Sequence, residues 1–327
     1  MKILITGGLG FIGSELVRKF SEYRYTPEND IVVFDNHSYS GFYEHVKDVR
    51  NTVIYNGDLY DKSSIEACFH KFNGFDLVIH AAAESAVDKS ISVYEDFINT
   101  NILGSANLFS VCSQFAVPRI INFGTDEIFG QLQADENSFH EGSPVSPRNI
   151  YSASKAAQVL FANAFRETYK LPVINVCPSN CYGPRQLPEK LLPRMIYLMS
   201  KGEELPVYGT GQNIREWLYV GDVAEAIKVI AEKGVVGELY TVGSNNEMSN
   251  IEILKLLGEK LGVKPKFKYI EDRKGHDFRY SVSCDKIQSL GWSPQKNLEL
   301  GLIETVIWYR KNFDWLETQY KKLWKDG

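Results

Sequence analysis

"ITGGLGFIG", Ile5–Gly13, opens the argument about how this 327-residue chain folds. The apolar run that enters it, "KILIT", reads as a buried strand, and an amphipathic pattern after it reads as a helix. Gly7, Gly10 and Gly13 occupy the turn between them, and Gly8, Gly10 and Gly13 also fit G-x-G-x-x-G. Such a pattern is weak by itself; following a strand and opening a helix, it marks a dinucleotide-binding turn. Absent side chains let the backbone approach a pyrophosphate, and the helix N-terminus supplies N–H donors and the positive end of a dipole. The next strand, "DIVVFD", ends in Asp35, about 20 residues beyond the glycines, where a carboxylate accepts hydrogen bonds from a ribose diol. An acid there repels a 2′-phosphate, so the expected cofactor is NAD, with Gly7, Gly10, Phe11, Ile12, Gly13, Asp35 and Asn36 around it.

Outward from this turn, "TVIYNGD", "FDLVIHAAA", "RIINFGT" and "PVINVCPS" read as further strands. They are continuously apolar rather than alternating, the pattern of strands covered on both faces. Helical patterns lie between several of them; in "SSIEACFHKF", Ser63 and Glu66 read as a capping box. Strand and helix in turn predict an α/β fold with a doubly wound parallel sheet. Pro and Gly become denser after Pro178, and shorter elements follow. The expected organisation is a cofactor domain over 1–178 and a smaller C-terminal α/β substrate domain over 179–327, with a segment near 216–243 returning to the first.

Composition narrows the function. Hydrophobic residues make up 44% of the chain and net charge is −5, so no basic field draws nucleic acid. No apolar run is long enough to span a bilayer. Five cysteines are scattered, and Cys177 and Cys181 have no second Cys/His pair beside them, so no metal is expected. Read as reduced thiols, they point to the cytoplasm.

Three further stretches carry chemistry. Asp58 follows the third strand and, with Leu59, faces the adenine end of the cofactor; Ala81 and Ala82 in "AAAES" let backbone lie beside it. "FGTDEIFG", Phe123–Gly130, places Thr125 and two adjacent acids, Asp126 and Glu127, at a strand end. "YSASK" sets Tyr151 and Lys155 four apart on one helix face, where an ammonium lowers the phenol pKa and favours phenolate.

Together these residues resemble the extended short-chain dehydrogenase/reductase family, a Rossmann-type fold in which Thr125, Tyr151 and Lys155 would act on a sugar hydroxyl beside NAD. Asn101 matches that family's helix asparagine, which supports the proton relay. "TDEIFG", "YSASKAA", "SNCYGPRQLPEKLLP", "LPVYGTGQNIREWLYVGD", "GSNNEMSN" and "DRKGHDFRY" are similar, in order, to the nucleotide-diphosphate-glucose 4,6-dehydratases, those acting on dTDP-glucose above all. The resemblance implies three steps: oxidation at C4 with Tyr151 as base, loss of water across C5 and C6 with Glu127 as base and Asp126 as acid, and hydride return to C6. It also implies a homodimer. Arg215 and Arg273 suit a diphosphate, since a guanidinium holds phosphate oxygens bidentately. By resemblance Ser85, Thr125, Asn180, Glu189, Lys190, Asn246 and His276 also contact the nucleotide sugar. Ala86, Gly124, Cys181 and Arg185 depart from the family's common residues. An epimerase or decarboxylase on the same scaffold remains an alternative, as does a 4,6-dehydratase of UDP- or GDP-N-acetylglucosamine or of CDP-glucose; the paired acids favour dehydration.

Overall fold

The computed structural model describes residues 1–22, 31–272 and 275–324. Strands β1 (Ile3–Thr6), β2 (Ile31–Asp35), β3 (Thr52–Asn56), β4 (Leu77–His80), β5 (Ile120–Phe123) and β6 (Val173–Pro178) are all parallel. With β10 (Leu239–Val242), reached later, they form a seven-stranded sheet in the order β10-β6-β5-β4-β1-β2-β3. Strand order reverses between β1 and β4, so a crevice opens there at the strands' carboxyl ends. Five of the six strands are buried throughout, as their unbroken Val/Ile runs predict. The edge strand β3 differs: Val53 is exposed, and among the described residues no strand pairs with its outer side.

The helix Lys62–Phe72 starts one residue earlier than expected. Its cap is Asp61, whose carboxylate accepts the Ser63 N–H and hydroxyl, in place of a Ser63–Glu66 box. The helix Ile150–Tyr169 has a reciprocal cap between Asn149 and Ser152.

Beyond β6 the chain builds β7 (Asn180–Tyr182), β8 (Leu205–Tyr208) and β9 (Ile214–Tyr219). It then returns: the helix Val220–Lys233 packs on the helix Phe11–Glu22, and β10 (Leu239–Val242) pairs with β6. Within the expected returning segment, β9 itself stays outside the main sheet, between β7 and β11 (Glu247–Ser249). Finally β12 (Phe267–Ile270) pairs with β8. Met195, Leu205, Trp217, Leu254, Leu302 and Tyr309 anchor a second core among these outer elements. Cys284, Ile287 and Trp292 rejoin the first core. Among the described residues no helix is long and apolar enough to cross a membrane, and all five cysteines are unpaired.

Candidate active site

The glycine turn forms a cradle. Gly7 has a φ of +68°, and a Cβ there would stand 2.6 Å from Ala82 Cα. A Cβ on Gly13 would lie 2.0 Å from the Gly7 carbonyl oxygen, so the helix can start here only without a side chain. At Gly10 a Cβ would meet only the Gly7 oxygen, at 3.3 Å, within 4 Å; the space over the turn is open. Asp35 is held by the backbone N–H groups of Leu9 (3.0 Å) and His37 (2.9 Å). Asp58 accepts from Asn36 Nδ2 at 3.2 Å. These residues, with Phe11, Ile12, Leu59, Ala81, Ala82 and Ser85, line one continuous cleft that runs on to Thr125, Tyr151 and Lys155. Its open turn, ribose acceptor and length fit a dinucleotide.

Asn101 lines neither this cleft nor its neighbour. It sits in a π-helical turn, Ile98–Gly104. Its amide pairs with the Glu84 backbone (2.9 and 3.0 Å) and donates to Ser154 Oγ (2.9 Å), tying the loop after β4 to the tyrosine helix. Such single π turns recur at functional sites.

The carboxylate pair grows out of β5. Thr125 caps the 3-10 turn Asp126–Phe129. Asp126 is 1% exposed; Oδ1 accepts from Thr125 Oγ1 at 3.2 Å, and buried Oδ2 has no partner among the described residues. Burial, then the charges of Glu127 and Glu216, push its carboxyl well above the usual range. Glu216 is fixed by the backbone N–H groups of Ser244 (2.5 Å), Asn245 (2.7 Å) and Val282 (2.9 Å). Glu127 is less buried and accepts from Asn149 Nδ2 at 3.3 Å.

Tyr151 and Lys155 correct one expectation. Burial, then Glu127 and Asp126, raise the Tyr151 phenol, while a hydrogen bond with Thr125 pulls it down. Lys155 is not among the groups that set it: Nζ donates to Phe123 O and Gln158 Oε1, both at 2.6 Å. Burial lowers Lys155 to about 7. Behind Gln158 runs a ladder of amides: Gln158 Nε2 to Asn122 Oδ1 (2.6 Å), Asn122 Nδ2 to Asn175 Oδ1 (2.8 Å), and Asn175 Nδ2 to Asn163 Oδ1 (2.9 Å). Every carbonyl in it faces toward the lysine.

A second cleft of about 600 Å³ adjoins the first and shares Glu127, Asn180, Glu189 and Lys190 with it. Arg215 and His276 line it. Arg215 donates to the carbonyls of Ile214, Asp277 and Phe278 and stacks on Tyr280. Asn246 lines neither cleft: its backbone closes the turn into β11 through Ser244 and Trp217, and Asn250, at the start of the next helix, lines the second cleft instead. Arg273 lies outside the described residues. Ala86 lines the second cleft, whereas Cys181 and Arg185 line the first. Arg185 pairs with Glu15 on the helix Phe11–Glu22. At Gly124 a Cβ would stand 2.7 Å from Cys177 Sγ, which accounts for the glycine. Sequence reasoning missed Asn149, Gln158, Glu216 and Asn250; of these, only Asn149 left a local signal, its cap spacing to Ser152.

A family model described as GDP-mannose 4,6 dehydratase matches residues 4–305. The dTDP-glucose 4,6-dehydratase of Haemophilus influenzae is 41% identical, over 95% of this chain and 98% of that one. The crystal structure of a dTDP-glucose 4,6-dehydratase from Streptomyces venezuelae with NAD bound superposes with a TM-score of 0.93 and 36% identity, covering 98% and 100% of the two chains. A UDP-glucose 4-epimerase from Thermotoga maritima follows the same fold at 30% identity and a TM-score of 0.88, over 96% and 100%.

Proposed function

The chain belongs to the GDP-mannose 4,6-dehydratase family, within the extended short-chain dehydrogenases/reductases, and from that premise we propose that it removes water from a nucleotide-diphosphate hexose. The leading substrate is dTDP-glucose, converted to dTDP-4-keto-6-deoxyglucose. The observation that carries this reading is the split between two adjacent acids. Asp126 is buried, its carboxyl pushed well above the usual range, with one oxygen unpartnered among the described residues; Glu127 stands where the two clefts meet. An epimerase on this scaffold needs no such pair.

Bound in the first cleft, NAD would take the hydride from sugar C4 and return it at C6. The glycine turn, Asp35, Asn36, Asp58 and Lys155 would hold it. Tyr151 takes the proton from the 4-hydroxyl while Thr125 donates to the same oxygen. Its phenol is raised as it stands, so a cation must support the ionised form. Lys155 is this chain's own candidate, and it serves only while protonated. The C4 ketone acidifies the C5 hydrogen, which Glu127 removes; Asn149 holds that carboxylate in place. Asp126 gives its proton to the departing 6-hydroxyl. Asn180, Glu189, Lys190, Arg215 and His276 surround the rest of the nucleotide sugar.

In this reading the cofactor-binding part comprises 1–178 with the returning helix and β10, and the substrate part most of the remainder. Exposed Ile98, Leu103, Leu160 and Phe161 on neighbouring helices support pairing with a second copy. Five unpaired cysteines support a cytoplasmic setting.

Glu127→Gln tests the assignment. Solvent exchange at C5 should vanish while some NADH still forms from dTDP-glucose; unchanged turnover removes Glu127 as the base. A panel of dTDP-, UDP-, GDP- and CDP-glucose, followed by mass loss of one water, tests the substrate.

A further inference from the structure

The second cleft contains a guanidinium whose donors no described residue uses. Arg194 lies on the helix Leu191–Lys201, and its guanidinium carbon sits 3.6 Å from the centroid of the Trp324 ring. Its Nε is buried without a hydrogen-bond partner among the described residues. Trp324 ends the helix Phe313–Trp324 and is itself fixed, its indole N–H donating to Pro188 O at 2.9 Å. Both residues line the cleft.

The other cations of the cleft are committed. Arg215 is tied to three carbonyls. Lys190 donates to Ser85 O, and Lys89 pairs with Glu84 and Asp96. Arg194 makes no such bond. Part of the cleft wall is apolar: Met195, Val207 and Leu254 belong to the second apolar core, and Tyr208 and Leu323 also line the cleft. Glu127, Asn180, Glu189 and Lys190, shared with the cofactor cleft, mark the end where the sugar must react. The base of an extended nucleotide sugar then lies at the other end, beyond the diphosphate. Apolar walls suit a flat heterocycle better than a dianion, and a planar fork of N–H donors suits ring carbonyl oxygens.

We infer that Arg194, stiffened by stacking on Trp324, recognises the nucleobase by donating to its carbonyl oxygens. This rests on the nucleotide-sugar reading above and names a specificity residue within it. The C-terminal helix thereby becomes part of the substrate site, although no acid, base or cofactor contact lies on it.

The test uses the NAD-containing enzyme and calorimetric titration with dTDP, with inorganic pyrophosphate as competitor. Arg194→Met should weaken dTDP about tenfold or more and leave pyrophosphate unchanged. Arg194→Lys, which keeps the charge without the fork, should lose nearly as much. Trp324→Leu should weaken dTDP less, and should add little to Arg194→Met. Circular dichroism checks that each variant folds. Unchanged dTDP affinity in both arginine variants overturns the inference. So does full rescue by lysine, or an equal loss for pyrophosphate, either of which makes Arg194 a phosphate cation. A wild-type enzyme that binds no nucleoside diphosphate overturns the nucleotide-sugar reading itself; one that binds dTDP while Arg194→Met is silent overturns only this inference.

Discussion

Gln158→Glu should move the alkaline limb of the pH–rate profile upward. The substitution puts a carboxylate oxygen where an amide oxygen now lies 2.6 Å from Lys155 Nζ. Unit charges about 3 Å apart attract by roughly 5–6 kcal/mol at an effective dielectric constant near 20. Desolvating the new carboxylate offsets part of that, and opposite charges this close typically shift a pKa by about 1–3 units. Lys155, which burial holds near 7, would then titrate at roughly 8–10. The substituted side chain would also turn an oxygen toward Asn122 Oδ1, so Asn122, Asn175 and Asn163 must reverse in succession. Asn163 is only half-buried, and the reversal ends in water. Gln158→Leu removes the acceptor and should move the limb the other way. The assay is kcat/KM for dTDP-glucose across pH, with thermal unfolding alongside. A lysine whose folded pKa is depressed contributes stability that is present above its unfolded value of about 10.4 and is lost as pH falls through about 7. That window should narrow in Gln158→Glu. Limbs that stay put in both variants, or move together, refute the claim that Gln158 sets the charge on Lys155.

Asp126→Asn should slow water loss by about 10²–10⁴-fold while C5 exchange and transient NADH persist; equal loss of exchange would make Asp126 part of the base instead. Gly13→Ala should abolish NAD retention, because its Cβ meets the Gly7 oxygen at 2.0 Å; a purified variant carrying a full complement of NAD, measured after denaturation, contradicts the cradle.

The parallel sheet and the glycine turn were legible because their signals are local: unbroken Val/Ile runs, and glycines where strand meets helix. Tyr151, Lys155, Asp126 and Glu127 could be named as candidates, from their spacing and the family they resemble, and they line one cleft. Their electrostatics were not legible. Lys155 is turned by Phe123 O and by Gln158, and Gln158 is oriented by Asn122, 36 residues upstream. The carboxyl of Asp126 is raised partly by Glu216, on β9 of the separate three-stranded sheet. Asn246 and Asn250 differ by one helical turn in sequence, and only the position of β11 decides which meets the cleft. Arg194 and Trp324 lie in helices of ordinary composition, and nothing in either stretch announces their contact.

The late arrival of β10 has a consequence for synthesis. β6 is an inner strand of the finished sheet, yet its second neighbour is encoded after the whole β7–β9 excursion. About 60 residues separate them, which a ribosome adding roughly 5–20 residues per second delivers in about 3–12 s. Through that interval the nascent cofactor domain carries an apolar strand with one open edge, the feature that invites pairing with another chain. Val173–Pro178 is therefore the segment at which a chaperone would protect this protein most, and at which slowed elongation after residue 178 would be most costly to yield.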